Sequence, residues 1–143
     1  MFLLDTNVVS ELRKIRLGRA DPGVAQWADS VDAAQLFLSV ITVHELEMGI
    51  LLVQRRDAAQ GNVLRSWLDR YLLPAFADRI LAVDTAVVLR SARLHIPDPR
   101  PFRDGLIAAT ALVHGMTMVT RNLADFLPTG VTCLNPWDAS GTS

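Results

Sequence analysis

Short apolar segments alternate with helical segments along this chain, and the alternation restricts the fold more than any other feature. Five apolar segments are typical of β-strands, at residues 2–4, 36–40, 79–83, 116–119 and 131–134. Strands separated by helices are joined by crossovers that make them parallel. We therefore predict an α/β fold with a central parallel sheet of about five strands and helices on both faces.

Capping and breaking residues predict where the helices begin and end. Thr42 and Glu45 fit a capping box at the start of the third helix, with Thr42 as the N-cap. Asp84 is the predicted cap of a later helix, and Gly115 ends the last long one. The predicted helices span residues 8–12, 22–30, 43–59, 63–76, 86–95 and 102–114. The predicted loops are a basic one at 13–18 and a proline-rich one at 96–101.

Length and composition fit one cytoplasmic domain. The chain has 143 residues, of which half are hydrophobic and 20% are charged. We expect a domain over residues 1–137, a flexible tail over 138–143, and some apolar surface covered by a partner. No apolar run approaches the ~18 residues of a membrane span, and Asp5 interrupts any signal-peptide core. The single cysteine, Cys133, is typical of a small buried side chain.

Charge alone does not indicate a nucleic-acid-binding protein. The formal net charge is −1, so the chain has no overall basic field. Thirteen of its 14 basic residues are arginines, the exception being Lys14. Arginine pairs well with phosphate, but it also serves in ordinary surface ion pairs.

Four acidic residues follow the predicted strands. Asp5 ends the first strand, Glu45 lies near the start of the helix after the second, Asp104 lies in the first turn of the helix after the proline-rich loop, and Asp125 follows the strand at 116–119. In parallel sheets, ligands bind at the carboxyl ends of the strands. Each acid could also serve only as a strand end, cap or turn residue.

A cluster of these acids would need cations. Two like charges ~4 Å apart repel by about 4 kcal/mol at an effective dielectric of ~20. Carboxylate oxygens are hard ligands, which favour Mg²⁺ or Mn²⁺. The hypothesis requires that the four side chains converge and are not individually neutralised by salt links within the chain.

Five motifs in order resemble the PIN-domain family, and more narrowly its VapC toxins and FitB-like subgroup. They are LLDTN at 3–7, SVITVHELEMG at 39–49, RDGLIAATA at 103–111, TRNLADF at 120–126 and LNPW at 134–137. The resemblance covers residues 1–137 and implies a PIN-like three-layer α/β/α fold. It also implies a Mg²⁺- or Mn²⁺-dependent endoribonuclease, the toxin of a type II toxin–antitoxin system.

The resemblance also assigns roles to residues. Asp5, Glu45, Asp104 and Asp125 match the family's catalytic and metal-binding acids. The family reaction is hydrolysis of an RNA phosphodiester by a water that the metal activates. Thr6, Asn7, Thr120 and Asn122 match supporting positions, although Thr6 or Asn7 could instead cap a helix. Asn122 replaces an acid of some relatives, which would make the site less negative.

Basic residues near the acidic motifs are candidates for holding RNA phosphates. Arg13, Lys14 and Arg16 follow the first strand together with Arg19, and Arg121 is the best single candidate because it lies two residues beyond Val119. Arg100 and Arg103 also flank the acidic motifs. A solvated basic surface explains these residues equally well.

The resemblance further implies a VapB- or FitA-like antitoxin, a homodimer, and a heterotetramer or larger complex. The alternative function is a weakly active or silent PIN-fold partner in a FitAB-like complex that binds operator DNA. Receiver domains and haloacid-dehalogenase-like phosphatases are disfavoured because both need a lysine late in the chain, whereas the only lysine here is Lys14. Dinucleotide-binding and P-loop glycine motifs are absent.

Overall fold

The central sheet has five strands, all parallel, in the computed structural model, which describes residues 1–138. The strand order is β3-β2-β1-β4-β5. The strands are β1 Phe2–Leu4, β2 Leu36–Ser39, β3 Ile80–Leu81, β4 Thr117–Val119 and β5 Cys133–Leu134. The predicted fold class is confirmed, with each strand equal to or shorter than its predicted segment.

Helices cover both faces of the sheet. They are α1 Thr6–Ile15, α2 Pro22–Ser30, α3 Val40–Arg56, α4 Ala58–Trp67, α5 Leu73–Ala75, α6 Thr85–Leu94, α7 Phe102–His114 and α8 Leu123–Phe126. Short 3₁₀ turns lie at Ala33–Gln35 and Leu127–Thr129. None of the helices in residues 1–138 is long and apolar enough to cross a membrane.

The central strand β1 joins the two halves of the core. Leu4 packs with α1, α2 and α3 on one face, and Leu3 packs with α7 and α8 on the other. Both leucines are fully buried, as expected for a strand covered on both faces. The carboxyl end of β1, at Asp5, therefore lies in the middle of the sheet edge, between the ends of β2 and β4.

Helix α3 begins earlier than the sequence predicts, and the predicted capping box is wrong. Ser39 is the N-cap, because its hydroxyl accepts a hydrogen bond from the backbone N–H of Ile41 at 3.0 Å. Thr42 lies within the first turn, fully buried, and its hydroxyl has no hydrogen-bond partner among the described residues. Glu45 therefore lies in the second turn and does not fold back on Thr42.

The boundaries of α1, α3 and α4 also differ from prediction. Helix α1 includes the segment predicted as the start of a basic loop, with Arg13 and Lys14 in its last turn. Positive charges at this end of a helix interact favourably with the helix dipole. Asp57 accepts from the backbone of Gln60, so α3 ends and α4 begins there. From α4 the chain continues through a π-helical turn, Leu68–Leu72, into α5.

Other predicted boundaries are confirmed. Helices α2 and α7 have the predicted limits, and Asp84 caps α6 through the backbone N–H of Val87. Gly115 ends α7 with φ +65°, a conformation that glycine adopts without strain. The predicted tail over 138–143 lies, except for Asp138, outside the described residues.

The close contact of α3 with α4 gives a stability prediction. A Cβ atom at Gly61 would lie 2.6 Å from the Cα and 2.8 Å from the backbone nitrogen of Gln54. We expect Gly61→Ala to lower the free energy of unfolding by about 1–3 kcal/mol, because the backbones must move apart. Urea denaturation followed by circular dichroism measures this.

Gly49→Ala is the matched control, because Gly49 is also inside a helix but has open space at its Cβ position. It should raise the free energy of unfolding by up to ~1 kcal/mol. Equal effects of the two substitutions would contradict the proposed close contact.

Candidate active site

The carboxylate of Asp5 is held in place by several hydrogen bonds. Its backbone N–H donates to the carbonyl of Val119 at 2.9 Å, which continues the pairing of β1 with β4. Its carboxylate is fully buried and accepts hydrogen bonds from the backbone N–H of Thr6 and the hydroxyl of Thr120, both at 2.8 Å. Asn7 also donates to it at 3.4 Å. These donors hold the buried carboxylate in one orientation.

Three of the four predicted acids meet at one arginine. The guanidinium of Arg103 donates through Nε to Glu45 Oε2 at 2.5 Å and through Nη1 to Asp104 Oδ1 at 2.7 Å. Its Nη2 donates to Asp5 Oδ1. The three carboxylates come from the residue after β1, from α3 and from α7, so one cation joins three separate parts of the chain.

The charges in this cluster do not balance. With all four groups ionised, one guanidinium faces three carboxylates, and two negative charges remain uncompensated. Partial burial disfavours the charged form of Arg103, but the hydrogen bonds that it donates to Glu45, Asp5 and Asp104, together with the negative charge of Asp5, outweigh this effect and raise the pKa of Arg103 above its usual value. Arg103 therefore stays positively charged at any pH at which the protein is studied.

The supporting residues differ in where they lie. Thr6 donates to Glu45 Oε1 at 2.5 Å, and Thr120 accepts from the backbone N–H of Asn122 at 3.0 Å while donating to Asp5. Thr6, Asn7 and Thr120 thus contact the carboxylates directly. The side chain of Asn122 is exposed, and its backbone N–H makes the connection.

Asp125 is not part of the cluster around Arg103. It lies on the short helix α8, and its side chain is exposed. Among residues 1–138, no three His, Cys, Asp or Glu side chains are grouped closely enough to hold a metal ion. Glu45, Asp5 and Asp104 instead surround the planar guanidinium of Arg103.

The predicted RNA-binding residues divide into two groups. Arg13 and Lys14 line a groove of about 360 Å³ that also contacts Thr6 and Glu45, and Lys14 pairs with Glu11 at 3.2 Å. This groove leads away from the acidic cluster between α1 and α3.

The other two lie on aromatic rings. The guanidinium of Arg16 lies 4.0 Å from the centre of the Tyr71 ring. That of Arg121 lies 5.0 Å from the centre of the Trp137 ring, while its backbone N–H donates to Asn7 at 3.4 Å. The backbone of Arg121 therefore contacts the site through Asn7, whereas its guanidinium packs on Trp137.

The central position of Arg103 is the feature that sequence reasoning missed. Its place beside the acidic motifs predicts a residue that could hold phosphates, yet its guanidinium lies among the carboxylates. One signal was present in the sequence. A cation in the first turn of α7 opposes the helix dipole, so it needs a compensating anion nearby.

The lone cysteine has no place in this chemistry. Cys133 is partly buried in β5, and its thiol donates to the carbonyl of Val131 at 3.5 Å. Burial raises the pKa of the Cys133 thiol, which disfavours the reactive thiolate. Its role as a packing residue agrees with the sequence.

Comparisons with known proteins agree with this architecture. The profile of the PIN domain matches residues 2–126. The toxin FitB of Neisseria gonorrhoeae is 40% identical over 144 residues, which cover 96% of this chain and 99% of FitB. The VapC ribonuclease Y4jK of Sinorhizobium fredii is 35% identical over 143 residues, covering 96% and 99% of the two chains.

A solved structure gives the same result for the fold. The structure of FitAB bound to an IR36 DNA fragment superposes with a TM-score of 0.85 at 36% identity, covering 96% of each chain. Because profile, sequence and fold agree over nearly the whole length, this chain belongs to the PIN-domain family.

Proposed function

We propose that this protein is the toxin of a type II toxin–antitoxin pair and that it is a metal-dependent endoribonuclease. The observation that carries the proposal is the convergence of Asp5, Glu45 and Asp104 at the carboxyl end of β1. Relatives across nearly the whole chain are named a toxin and a VapC ribonuclease, which supports the same activity here.

The acidic cluster fits Mg²⁺ or Mn²⁺ in its donor chemistry. It offers carboxylate oxygens from three side chains, which already share one cation, and such hard donors suit these ions. Asp5, Asp104 and Glu45 would hold the ion, whereas Asp125, which is exposed on α8 and outside the cluster, would have to move toward them to serve as the fourth acid. When bound, the ion would activate a water and neutralise charge on the phosphodiester.

The other residues of the chain position the acids and the RNA. Thr120 and the backbone N–H of Thr6 orient Asp5, and the Thr6 hydroxyl orients Glu45. Arg13 and Lys14, in the groove that reaches Glu45, would bind phosphates of the RNA on either side of the cleaved bond. Such contacts position a strand without reading its sequence.

An apolar groove supports an antitoxin partner. The groove has a volume of about 590 Å³ and is lined by Leu17, Val63, Trp67 and Tyr71, with Arg13 and Arg16 beside them. Leu17, Val63 and Tyr71 are each more than half exposed, which is costly for large apolar side chains without a partner. We propose that an amphipathic segment of a VapB- or FitA-like antitoxin covers it, in a heterotetramer or larger complex built on a homodimer.

One observation favours a second candidate function. Arg103 occupies the acidic cluster, as would suit a weakly active or silent nuclease. In that case the protein would act mainly as part of a complex that binds operator DNA, as FitAB binds a DNA fragment.

A cleavage assay separates the two functions. We expect the purified chain, free of antitoxin, to cleave single-stranded or structured RNA when Mg²⁺ or Mn²⁺ is added. Asp5→Asn and Asp104→Asn should each lower the cleavage rate about a hundredfold or more, because each removes a negative oxygen ligand. Gel electrophoresis of labelled RNA measures the rate.

Asp29→Asn is the control for this assay, because it makes the same change at an exposed site on α2, and it should keep the full rate. Equal cleavage by the wild type and both site variants would reveal a contaminating nuclease and remove the enzymatic proposal. Operator DNA binding with antitoxin, without RNA cleavage by the free chain, would establish the second function.

Divalent ions should also stabilise the folded protein. Mn²⁺ at about 100 times its Kd should raise the Tm of metal-free protein by about 5–10 °C near neutral pH, because the ion binds only the folded carboxylate cluster. The rise should be smaller in Asp104→Asn and unchanged in Asp29→Asn. Differential scanning calorimetry measures it, and an unchanged Tm in the wild type would count against the metal site.

A further inference from the structure

We propose that Arg103 is a built-in competitor of the divalent ion, which must displace its guanidinium from Asp5, Glu45 and Asp104 in order to bind. The inference rests on the proposed function, because it assumes that these carboxylates are the ones that bind the metal. It adds that a side chain of the protein itself, Arg103, lowers the affinity of these carboxylates for the ion.

Both carboxylate oxygens of Asp5 and both of Glu45 accept hydrogen bonds. Oδ2 of Asp5 accepts from Thr120, and Oε1 of Glu45 accepts from Thr6. The opposite oxygens, Oδ1 of Asp5 and Oε2 of Glu45, accept from Arg103, as does Oδ1 of Asp104. The threonine hydroxyls therefore leave Oε2 of Glu45 and Oδ1 of Asp5, which also accepts from the backbone N–H of Thr6, facing a shared centre that the guanidinium fills.

An ion and the guanidinium cannot share this centre. Both need the same carboxylate oxygens, and two cations within ~4 Å repel by several kcal/mol per unit of charge product at an intermediate dielectric. The guanidinium is a permanent charge, so it cannot give way by losing a proton. It can give way only by moving.

The position of Arg103 allows that movement. It is the second residue of α7, two positions after the N-cap Pro101, and its side chain is 29% exposed. Phe102 beside it is 79% exposed, so the surface around the helix start is open. Rotation of the arginine side chain would carry the guanidinium into solvent without moving the α7 backbone.

The test measures Mn²⁺ affinity by isothermal titration calorimetry of the metal-free, full-length chain. We expect Arg103→Gln to bind Mn²⁺ about tenfold more tightly or better than the wild type, because the competing cation is gone. The control is Arg90→Gln, the same change in net charge at an exposed position on α6, and its affinity should stay within about twofold of the wild type.

Metal-free Arg103→Gln should also melt below the wild type, because three carboxylates lose their shared cation, and Mn²⁺ should raise its Tm more. Equal affinity in Arg103→Gln and the wild type overturns the inference and leaves the proposed function standing. Weaker binding also overturns it, since Arg103 would then be orienting the carboxylates for the ion. No binding by either protein overturns both the inference and the metal dependence of the proposed function.

A second measurement needs no variant. The Nε–H group of Arg103, hydrogen-bonded to Glu45, should give an NMR signal that exchanges slowly with water in the metal-free wild type. Adding Mg²⁺ should move this signal toward that of a solvated arginine and speed its exchange. A signal that keeps its shift and exchange rate at saturating Mg²⁺ overturns the inference.

Discussion

The buried charge of Asp5 is the constraint on which the rest of the site depends. A carboxylate at the end of a fully covered central strand loses its hydration, which is costly unless other groups replace the water. Protein groups replace the water here. The backbone N–H of Thr6 and the hydroxyl of Thr120 donate hydrogen bonds to the carboxylate, and Arg103 supplies the opposite charge. Glu45 and Asp104 bind the same guanidinium. The arginine that compensates the buried charge of Asp5 therefore also holds the other two acids in the cluster.

The start of α3 shows how a small local choice serves this cluster. If Thr42 capped the helix, Glu45 would be its third residue and would reach back to the cap. Ser39 caps it instead, so Glu45 lies one turn further along and meets Thr6 and Arg103. β2 therefore ends at Ser39, and the helix that follows it places the Glu45 carboxylate beside the guanidinium that also contacts Asp5.

Sequence reasoning could predict the features that depend on local pattern. Alternating apolar segments and caps such as Asp84 and Gly115 are local, and they gave the sheet, its parallel sense and the limits of α2 and α7. The rule that ligands bind at strand ends then points to Asp5, Glu45 and Asp104.

The partners of Arg103 are not predictable in this way. Its contacts with Glu45 and Asp5 span 58 and 98 residues, and a sequence pattern cannot distinguish an arginine that binds phosphate from one that binds carboxylates. Asp125 is a similar case, since the path of the chain after β4 decides whether it joins the others.

Arg103 also bears on how such a site can fold at all. A cluster that relied on a divalent ion for its charge balance would couple the stability of the protein to the supply of that ion. With a guanidinium among the carboxylates, the chain carries its own counter-ion, so the cluster can form without a divalent ion. The residual negative charge of the cluster still attracts a cation of higher charge. In the mechanism proposed above, the three carboxylates form an ion-pair network with Arg103 in the metal-free state and would hold the ion once the arginine side chain has moved away.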